Sequence, residues 1–119
     1  MTSAVPRLGS VVLDCPDPPA LADFYARLLD WPVRESADEW ATIEGPRGAL
    51  IEFQRAADYQ PPTWPDPARQ QMFHFDFQVD DLEAAHERAI ENGAKPLDRQ
   101  RTFRVYADPA GHPFCLCQS

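Results

Sequence analysis

"HFDFQVDDLEAAHERAI", residues 74–90, joins an alternating pattern to a helical one and decides the fold class. In its first half the apolar Phe75 and Phe77 alternate with polar residues, which is typical of a strand whose two faces differ. In its second half Asp80, with Glu83 three positions later, is typical of a helix N-terminus. The stretch therefore predicts a strand that leads directly into a helix.

The same pattern occurs near the N-terminus of the chain. "SVVLDCPDPPALADFYARLLDWP", residues 10–32, aligns without a gap on residues 74–96, an offset of 74 − 10 = 64. Both copies end in a proline, Pro32 and Pro96, and in the first copy Asp17 followed by two prolines is a good helix start. Repetition over this length predicts two copies of one supersecondary unit.

Strand patterns follow each predicted helix. They are "EWATIEG" and "ALIEFQR" in the first half and "TFRVYAD" and "PFCLCQS" in the second, with a further strand expected at 32–35 and at 95–99. Each half then reads βαβββ. The sequence predicts an α+β fold built from two βαβββ modules.

A proline-rich segment separates the two halves. "YQPPTWPDPARQQ", residues 59–71, holds four prolines, which disfavour regular structure, and Trp64, which could form a lid or a subunit contact. We expect one domain over residues 1–119, with module one at about 7–58, the connector at about 59–72 and module two at about 73–119.

Composition excludes several classes of partner. The formal net charge of −8 comes from acidic residues spread along the chain, which would be repelled by nucleic acid or an anionic membrane. No apolar run reaches the roughly 20 residues that a bilayer span needs. The three cysteines, Cys15, Cys115 and Cys117, have no C-x-x-C spacing and suit reduced thiols, so we expect a cytoplasmic protein.

The two βαβββ modules, "HFDFQVDDLEAA", "NGAKPL" and "ADPAGHPFCL" together resemble the vicinal oxygen chelate superfamily, which includes glyoxalase I, extradiol dioxygenases and bleomycin-resistance proteins. The resemblance covers nearly the whole chain, and together with the edge strands it implies a homodimer. The resemblance implies that the two modules form a cupped mixed sheet with the helices on its outer face. Metal-dependent members place ligands on the inner face of the first and last strand of each module. The resemblance assigns those positions to Ser10, Glu52, His74 and Cys115.

This set of four is a poor match to a hard divalent metal. Serine is a weak ligand, and Cys115 stands where the resemblance implies a glutamate, so the oxygen-rich site used for magnesium, manganese or nickel is incomplete. A softer set of His74, Glu52 and Cys115 could hold zinc. We expect no tightly bound metal and no other cofactor.

Polar residues of the predicted cup then become the candidates for ligand contact. His74 and Asp76 share a strand face and could act as an acid–base pair, with Glu52 as a third catalytic candidate. The alternative is that they form a structural hydrogen-bonded pair. The candidate substrate-binding residues are Ser10, Trp40, Gln78, Arg104, Tyr106 and Cys115.

Some of these candidates have a second interpretation. Trp40 and Tyr106 could instead be aromatic residues at the edge of the core. Cys115 would act as a nucleophile only with a base nearby, and His74 is the one candidate. His86 and His112 are expected to be exposed and receive no role.

Two functions remain in view from the sequence. The first is a glyoxalase-, bleomycin-resistance- or dioxygenase-like enzyme, with lyase, isomerase or dioxygenase-type activity on a small molecule. The second is a protein that sequesters an antibiotic or metabolite in the cup without turnover. A subunit-interaction module without any ligand fits least well with so many polar residues on one face. Sequence alone does not separate catalysis from binding.

Overall fold

Each half of the chain folds into a four-stranded sheet with one helix. The computed structural model describes residues 4–118. Module one contains β1 (Val11–Cys15), α1 (Pro18–Leu29), β2 (Val33–Ala37), β3 (Trp40–Glu44) and β4 (Leu50–Arg55), and module two contains β5 (Phe75–Val79), α2 (Leu82–Glu91), β6 (Lys95–Arg99), β7 (Phe103–Ala107) and β8 (Pro113–Gln118). The predicted pair of βαβββ modules is confirmed.

The two sheets have the same topology. Their strand orders are β1-β4-β3-β2 and β5-β8-β7-β6, in which the first strand lies parallel to the last and the other neighbours are antiparallel. β1 and β5 are therefore edge strands of their sheets.

Aspartate side chains cap both helices. Asp17 accepts a hydrogen bond from the backbone N–H of Ala20 at 3.2 Å, as expected. At the second helix Asp81 accepts from Ala84 at 3.1 Å, so the cap lies one residue after the Asp80 that the sequence suggested. A capping side chain must reach a free N–H of the first turn, and here Asp81 is the residue that does so.

Tyr25 of α1 joins the apolar faces of the two sheets. Its ring stacks on Phe53 of β4 with centroids 5.9 Å apart, and it meets Phe75 and Phe77 of β5 at 5.8 and 6.4 Å. Buried residues of both modules form one core cluster around these rings. Because Phe75 and Phe77 face α1, His74 and Asp76 lie on the opposite face, and the expected register of β5 is correct.

The two modules differ in length after their first strands. The offset is 75 − 11 = 64 at β1 and β5 but 103 − 40 = 63 at β3 and β7. α2 is two residues shorter than α1, whereas the connection before β7 is one residue longer than the connection before β3. Side chains alternate between the two faces of a strand. An offset of 63 instead of 64 therefore exchanges the face that each residue of β7 is expected to occupy.

Buried polar contacts tie the modules together at the turn before β8. The hydroxyl of Tyr25 donates to Oδ2 of Asp108 at 2.6 Å, and Nδ1 of His112 lies 2.8 Å from the same oxygen. Nε2 of His112 lies 2.8 Å from the backbone oxygen of Asp14. His112 was expected to be exposed, but only 15% of its side chain is accessible, because residues distant in sequence enclose it.

The polypeptide between β4 and β5 returns across this turn. The hydroxyl of Tyr59 donates to the backbone oxygen of Ala110 at 2.9 Å and fastens the start of the connector.

Among residues 4–118, no helix has the length and apolar character needed to cross a membrane.

Candidate functional site

Glu52 of β4 is the centre of a polar cluster on the face of the first sheet that is turned away from α1. Its carboxylate accepts from Ser10 Oγ at 2.7 Å, from Thr42 Oγ1 at 3.0 Å and from Trp40 Nε1 at 3.4 Å. Thr42 is the direct strand partner of Glu52 on β3, and Phe53 beside it faces the core. We call this side of each sheet the cup face.

These donors favour the ionised form of Glu52. The hydrogen bond from Ser10 lowers the pKa of the Glu52 carboxyl below its usual 4.5, with Thr42 and Trp40 adding to the effect and partial burial opposing it. The carboxylate is therefore negative and fixed in orientation at neutral pH. Ser10, Trp40 and Glu52 are together, as the sequence suggested, and Thr42 joins them through the alternation of β3.

The second sheet carries the other polar cluster. Nε2 of His74 lies 3.1 Å from Oδ1 of Asp76, and their side chains are 39% and 56% exposed. Asp76 is the strand partner of Cys115 on β8, and the ligating atoms of His74, Asp76 and Cys115 all lie within 4.8 Å of one another. Gln78 follows on the same face of β5, opposite Cys117.

Cys115 is a poor source of thiolate. Burial raises the pKa of its thiol to about 12, and the charge and hydrogen bond of Asp76 act in the same direction. The protonated thiol can donate to Asp76 and holds that carboxylate in place. This environment does not activate Cys115 as a nucleophile.

The two clusters belong to different sheets. Every side-chain hydrogen bond to Glu52 comes from module one, whereas His74, Asp76 and Cys115 all lie in module two. Within residues 4–118, Glu52 is not part of the group that surrounds His74. The zinc set of His74, Glu52 and Cys115 is therefore not assembled, because Asp76 takes the position expected for Glu52.

The residues present do not fit a hard divalent metal. The Ser10 hydroxyl donates to Glu52, and the Glu52 carboxylate accepts hydrogen bonds from three donors. Near His74 the set is one imidazole, one carboxylate and one thiol. Magnesium and manganese prefer several oxygen ligands, and this set offers too few.

Arg104 and Tyr106 lie on the helix-covered face of the second sheet, so their expected position in the cup is wrong. They pair across the strands with Leu116 and Phe114, and the ring of Tyr106 stacks on Phe114 at 5.4 Å. Val105 lies opposite Cys115 and occupies the cup face instead. The cause is the offset of 63 rather than 64 at β7.

Both residues bond to α2. Arg104 NH2 donates to Glu83 Oε1, and the hydroxyl of Tyr106 lies 2.6 Å from His86 Nδ1. His86 is therefore partly buried and engaged, although the sequence suggested an exposed residue. Of the two interpretations of Tyr106, the fully buried ring supports the core aromatic.

Known proteins show the same architecture. The family model of the glyoxalase-like domain matches residues 10–117, whereas no curated protein matches the sequence. A glyoxalase/bleomycin resistance protein/dioxygenase family enzyme from Burkholderia phytofirmans superposes with a TM-score of 0.73 at 15% identity, covering 92% of this chain and 96% of that one. A glyoxalase/dioxygenase from Nostoc punctiforme gives 0.72 at 17% identity, with 100% and 98% covered.

A further similar structure contains a metal. It is a mutant of the fosfomycin resistance protein FosX from Listeria monocytogenes in complex with Mn(II) and 1S,2S-dihydroxypropylphosphonic acid, with a TM-score of 0.72, 17% identity, and 95% of this chain and 90% of that one covered. At such identities the likeness concerns the fold. With the family match over nearly its whole length and the two βαβββ modules in the structure, this chain belongs to the glyoxalase-like domain family.

Proposed function

We propose that this protein binds a small polar molecule on the cup face, with His74 and Asp76 as its main contacts in module two and Glu52 in module one. The observation that carries the proposal is the pair of polar clusters on the cup faces of the two sheets. Each carboxylate is oriented by hydrogen bonds and remains accessible, which is the property of a binding surface. A carboxylate needed only for stability would gain nothing from this accessibility.

The preferred ligand carries hydrogen-bond donors or a positive charge. Glu52 is ionised at neutral pH and Asp76 is 56% exposed, so the cup face presents acceptors. Trp40, half-buried beside Glu52, offers an aromatic surface next to them. Ser10, Gln78 and Cys115 would complete the contacts.

A lyase or isomerase activity is the catalytic form of this proposal. His74 lies within hydrogen-bond distance of Asp76, so the carboxylate can orient the imidazole while the ring moves a proton to or from the ligand. Dioxygenase-type chemistry has the least support, because the donors near His74 suit a redox-active metal poorly.

Sequestration without turnover is the second candidate function. It is favoured by the donor set near His74, because one imidazole, one carboxylate and one thiol supply few of the oxygen ligands that a hard catalytic metal prefers. In this case His74 and Asp76 would only recognise the antibiotic or metabolite.

We further propose that the protein acts as a homodimer. β1 and β5 are open sheet edges, and Val12 on β1 and Phe73 just before β5 are 40% and 46% exposed. The radius of gyration of 15.0 Å exceeds the roughly 13.5 Å expected for a compact chain of this length. A second copy could place the Glu52 cluster of one chain opposite the His74 cluster of the other. Light scattering that finds only monomer at micromolar concentrations would contradict this.

Residues 1–119 would act as a single domain. The reducing cytoplasm is the compartment that suits the three unpaired cysteines. Cys15, Cys115 and Cys117 are all free thiols, and none of the three is paired in the structure.

A thermal-shift screen of metabolites and antibiotics, followed by calorimetry of each ligand found, tests the binding proposal. We expect His74→Ala and Glu52→Gln to weaken binding by tenfold or more, while His86→Ala has little effect. His86 is the matched control because it removes a histidine from the opposite face of the same module. Equal affinity in His74→Ala and the wild type would contradict the proposal, and NMR of the bound ligand over time then separates turnover from sequestration.

A further inference from the structure

The connector builds one wall of a cleft at the end of the cup face of the second sheet. The cleft has a volume of about 440 Å³ and lies between the connector, the start of β6 and the turn before β8. Its apolar walls come from Trp64, Pro61, Pro62, Leu97 and Pro113, and Lys95 stands at its border. Ala107 and Pro113 of its lining lie two residues along from Val105 and Cys115, but none of the residues around it belongs to the His74 or the Glu52 cluster.

Hydrogen bonds hold the connector wall in shape. The backbone N–H of Thr63 donates to the backbone oxygen of Arg69 at 2.8 Å, and the N–H of Arg69 donates to Thr63 Oγ1 at 2.9 Å. Nε of Arg69 also donates to the backbone oxygen of Pro61 at 2.9 Å. A loop closed in this way, with four prolines, loses little further entropy when a ligand binds.

The base of the cleft depends on a close approach between the connector and the turn. Gly111 has φ +91, and a Cβ built there would lie 2.8 Å from Cβ of Pro61. Glycine at this position therefore lets Pro61 pack directly on the turn. The result is a preformed concave surface rather than a loose loop.

One cation that has no ion-pair partner among the described residues, Lys95, lines the cleft. Lys95 is the only lysine of the sequence, and among residues 4–118 no carboxylate forms an ion pair with it. Asp108 also borders the cleft, but its carboxylate is fully buried and bonded to Tyr25 and His112. An unpaired ammonium group beside apolar walls can attract an anionic group of a bound molecule.

We propose that this cleft binds small molecules that combine a flat apolar body with one anionic group. Trp64, Leu97 and the prolines would cover the apolar body, and Lys95 would pair with the carboxylate, sulfonate or phosphate. A volume of about 440 Å³ lies within the range of roughly 300–1,000 Å³ that is usual for small-molecule sites. This proposal goes beyond the cup-site function and does not depend on it.

Two dyes with the same ring system test the proposal. 1-Anilinonaphthalene-8-sulfonate carries one negative charge, whereas N-phenyl-1-naphthylamine has the same apolar body without it. We expect the wild type to bind the anionic dye more tightly than the neutral dye. Lys95→Gln should lower the affinity for the anionic dye about fivefold and leave the affinity for the neutral dye unchanged. Trp64→Ala should weaken both dyes, because it removes part of the apolar wall.

Matched variants separate this site from the rest of the chain. Arg101→Gln removes an exposed positive charge outside the cleft, and His74→Ala changes the cup; we expect both to leave the dye affinities within twofold. An unchanged affinity for the anionic dye in Lys95→Gln, or no binding to the wild type at all, would overturn the proposal. Equal losses of dye affinity in His74→Ala and Lys95→Gln would also overturn the proposal, because the two sites would then be one. Circular dichroism checks that each variant is folded.

Discussion

Tyr25 Oη lies 2.6 Å from Asp108 Oδ2, and this buried hydrogen bond links the helix of module one to the last turn of module two. The pKa of Tyr25 is raised far above its usual value by burial, with the charge of Asp108 adding to the shift. The hydroxyl therefore remains a donor throughout the accessible pH range, and the carboxylate depends on it.

Tyr25→Phe should lower the free energy of unfolding by about 1–3 kcal/mol, since it leaves a buried carboxylate oxygen without one of its donors. Urea denaturation at pH 7 measures the change. Tyr59→Phe is the control, because that hydroxyl is only partly buried and its loss should cost less. Equal stability of Tyr25→Phe and the wild type would show that this bond contributes nothing net.

Glu52 makes stability depend on pH in the acid range. Its folded pKa is lowered, so its contribution is complete above the usual 4.5 and is lost as the pH falls through the folded pKa. The stability difference between the wild type and Glu52→Gln should therefore shrink as the pH is lowered from 7 to 3. Denaturation at several pH values measures it, with Glu91→Gln on the exposed side of α2 as the control. A difference that stays constant over this range would refute the pKa direction.

Cys115 should resist alkylation. Its thiol has a pKa of about 12, first from burial and then from Asp76, so little thiolate exists at pH 8.5. Iodoacetamide labelling of the folded protein, followed by peptide mass spectrometry, should find Cys115 unmodified. Asp76→Asn should increase the labelling rate, whereas Asp80→Asn should not. Rapid labelling of the wild type would contradict the assigned environment.

The protein should not retain a hard divalent metal. Purified protein dialysed against magnesium or manganese should contain far less than one equivalent by elemental analysis, because one imidazole, one carboxylate and one thiol offer few of the oxygen ligands that these metals prefer. Near-stoichiometric metal that disappears in His74→Ala would be the opposite result. Asp98→Asn, outside the cluster, is the control for non-specific uptake.

The position of Arg104 predicts a separation between stability and ligand binding. Arg104→Met keeps an apolar stem against α2 and should lower the melting temperature less than Glu83→Ala, which leaves the buried guanidinium without its acceptor. Both variants should bind a cup ligand within twofold of the wild type. A loss of ligand affinity in Arg104→Met alone would contradict this assignment and indicate that Arg104 contacts the cup ligand.

Much of the fold could be predicted from local patterns. The alternation of Phe75 and Phe77 with His74 and Asp76 has a period of two, and only one assignment of faces buries the aromatic rings. The Asp17 cap, the repeat and the proline-rich connector are likewise features of neighbouring residues. The superfamily resemblance implied that Ser10 and Glu52 lie together, and the alternation of β3 added Trp40 to them.

Only the tertiary structure decided which face of β7 lines the cup. The shorter α2 and the longer connection before β7 move the offset from 64 to 63, and a strand reverses its faces with every residue of shift, so Arg104 and Tyr106 face α2. The enclosure of His112 and the pairing of Asp76 with Cys115 also join residues far apart in sequence. Their partners come together through strand pairing and core packing, so the sequence determined the two modules and the faces of β5, and the fold determined the faces of β7 and the composition of the site.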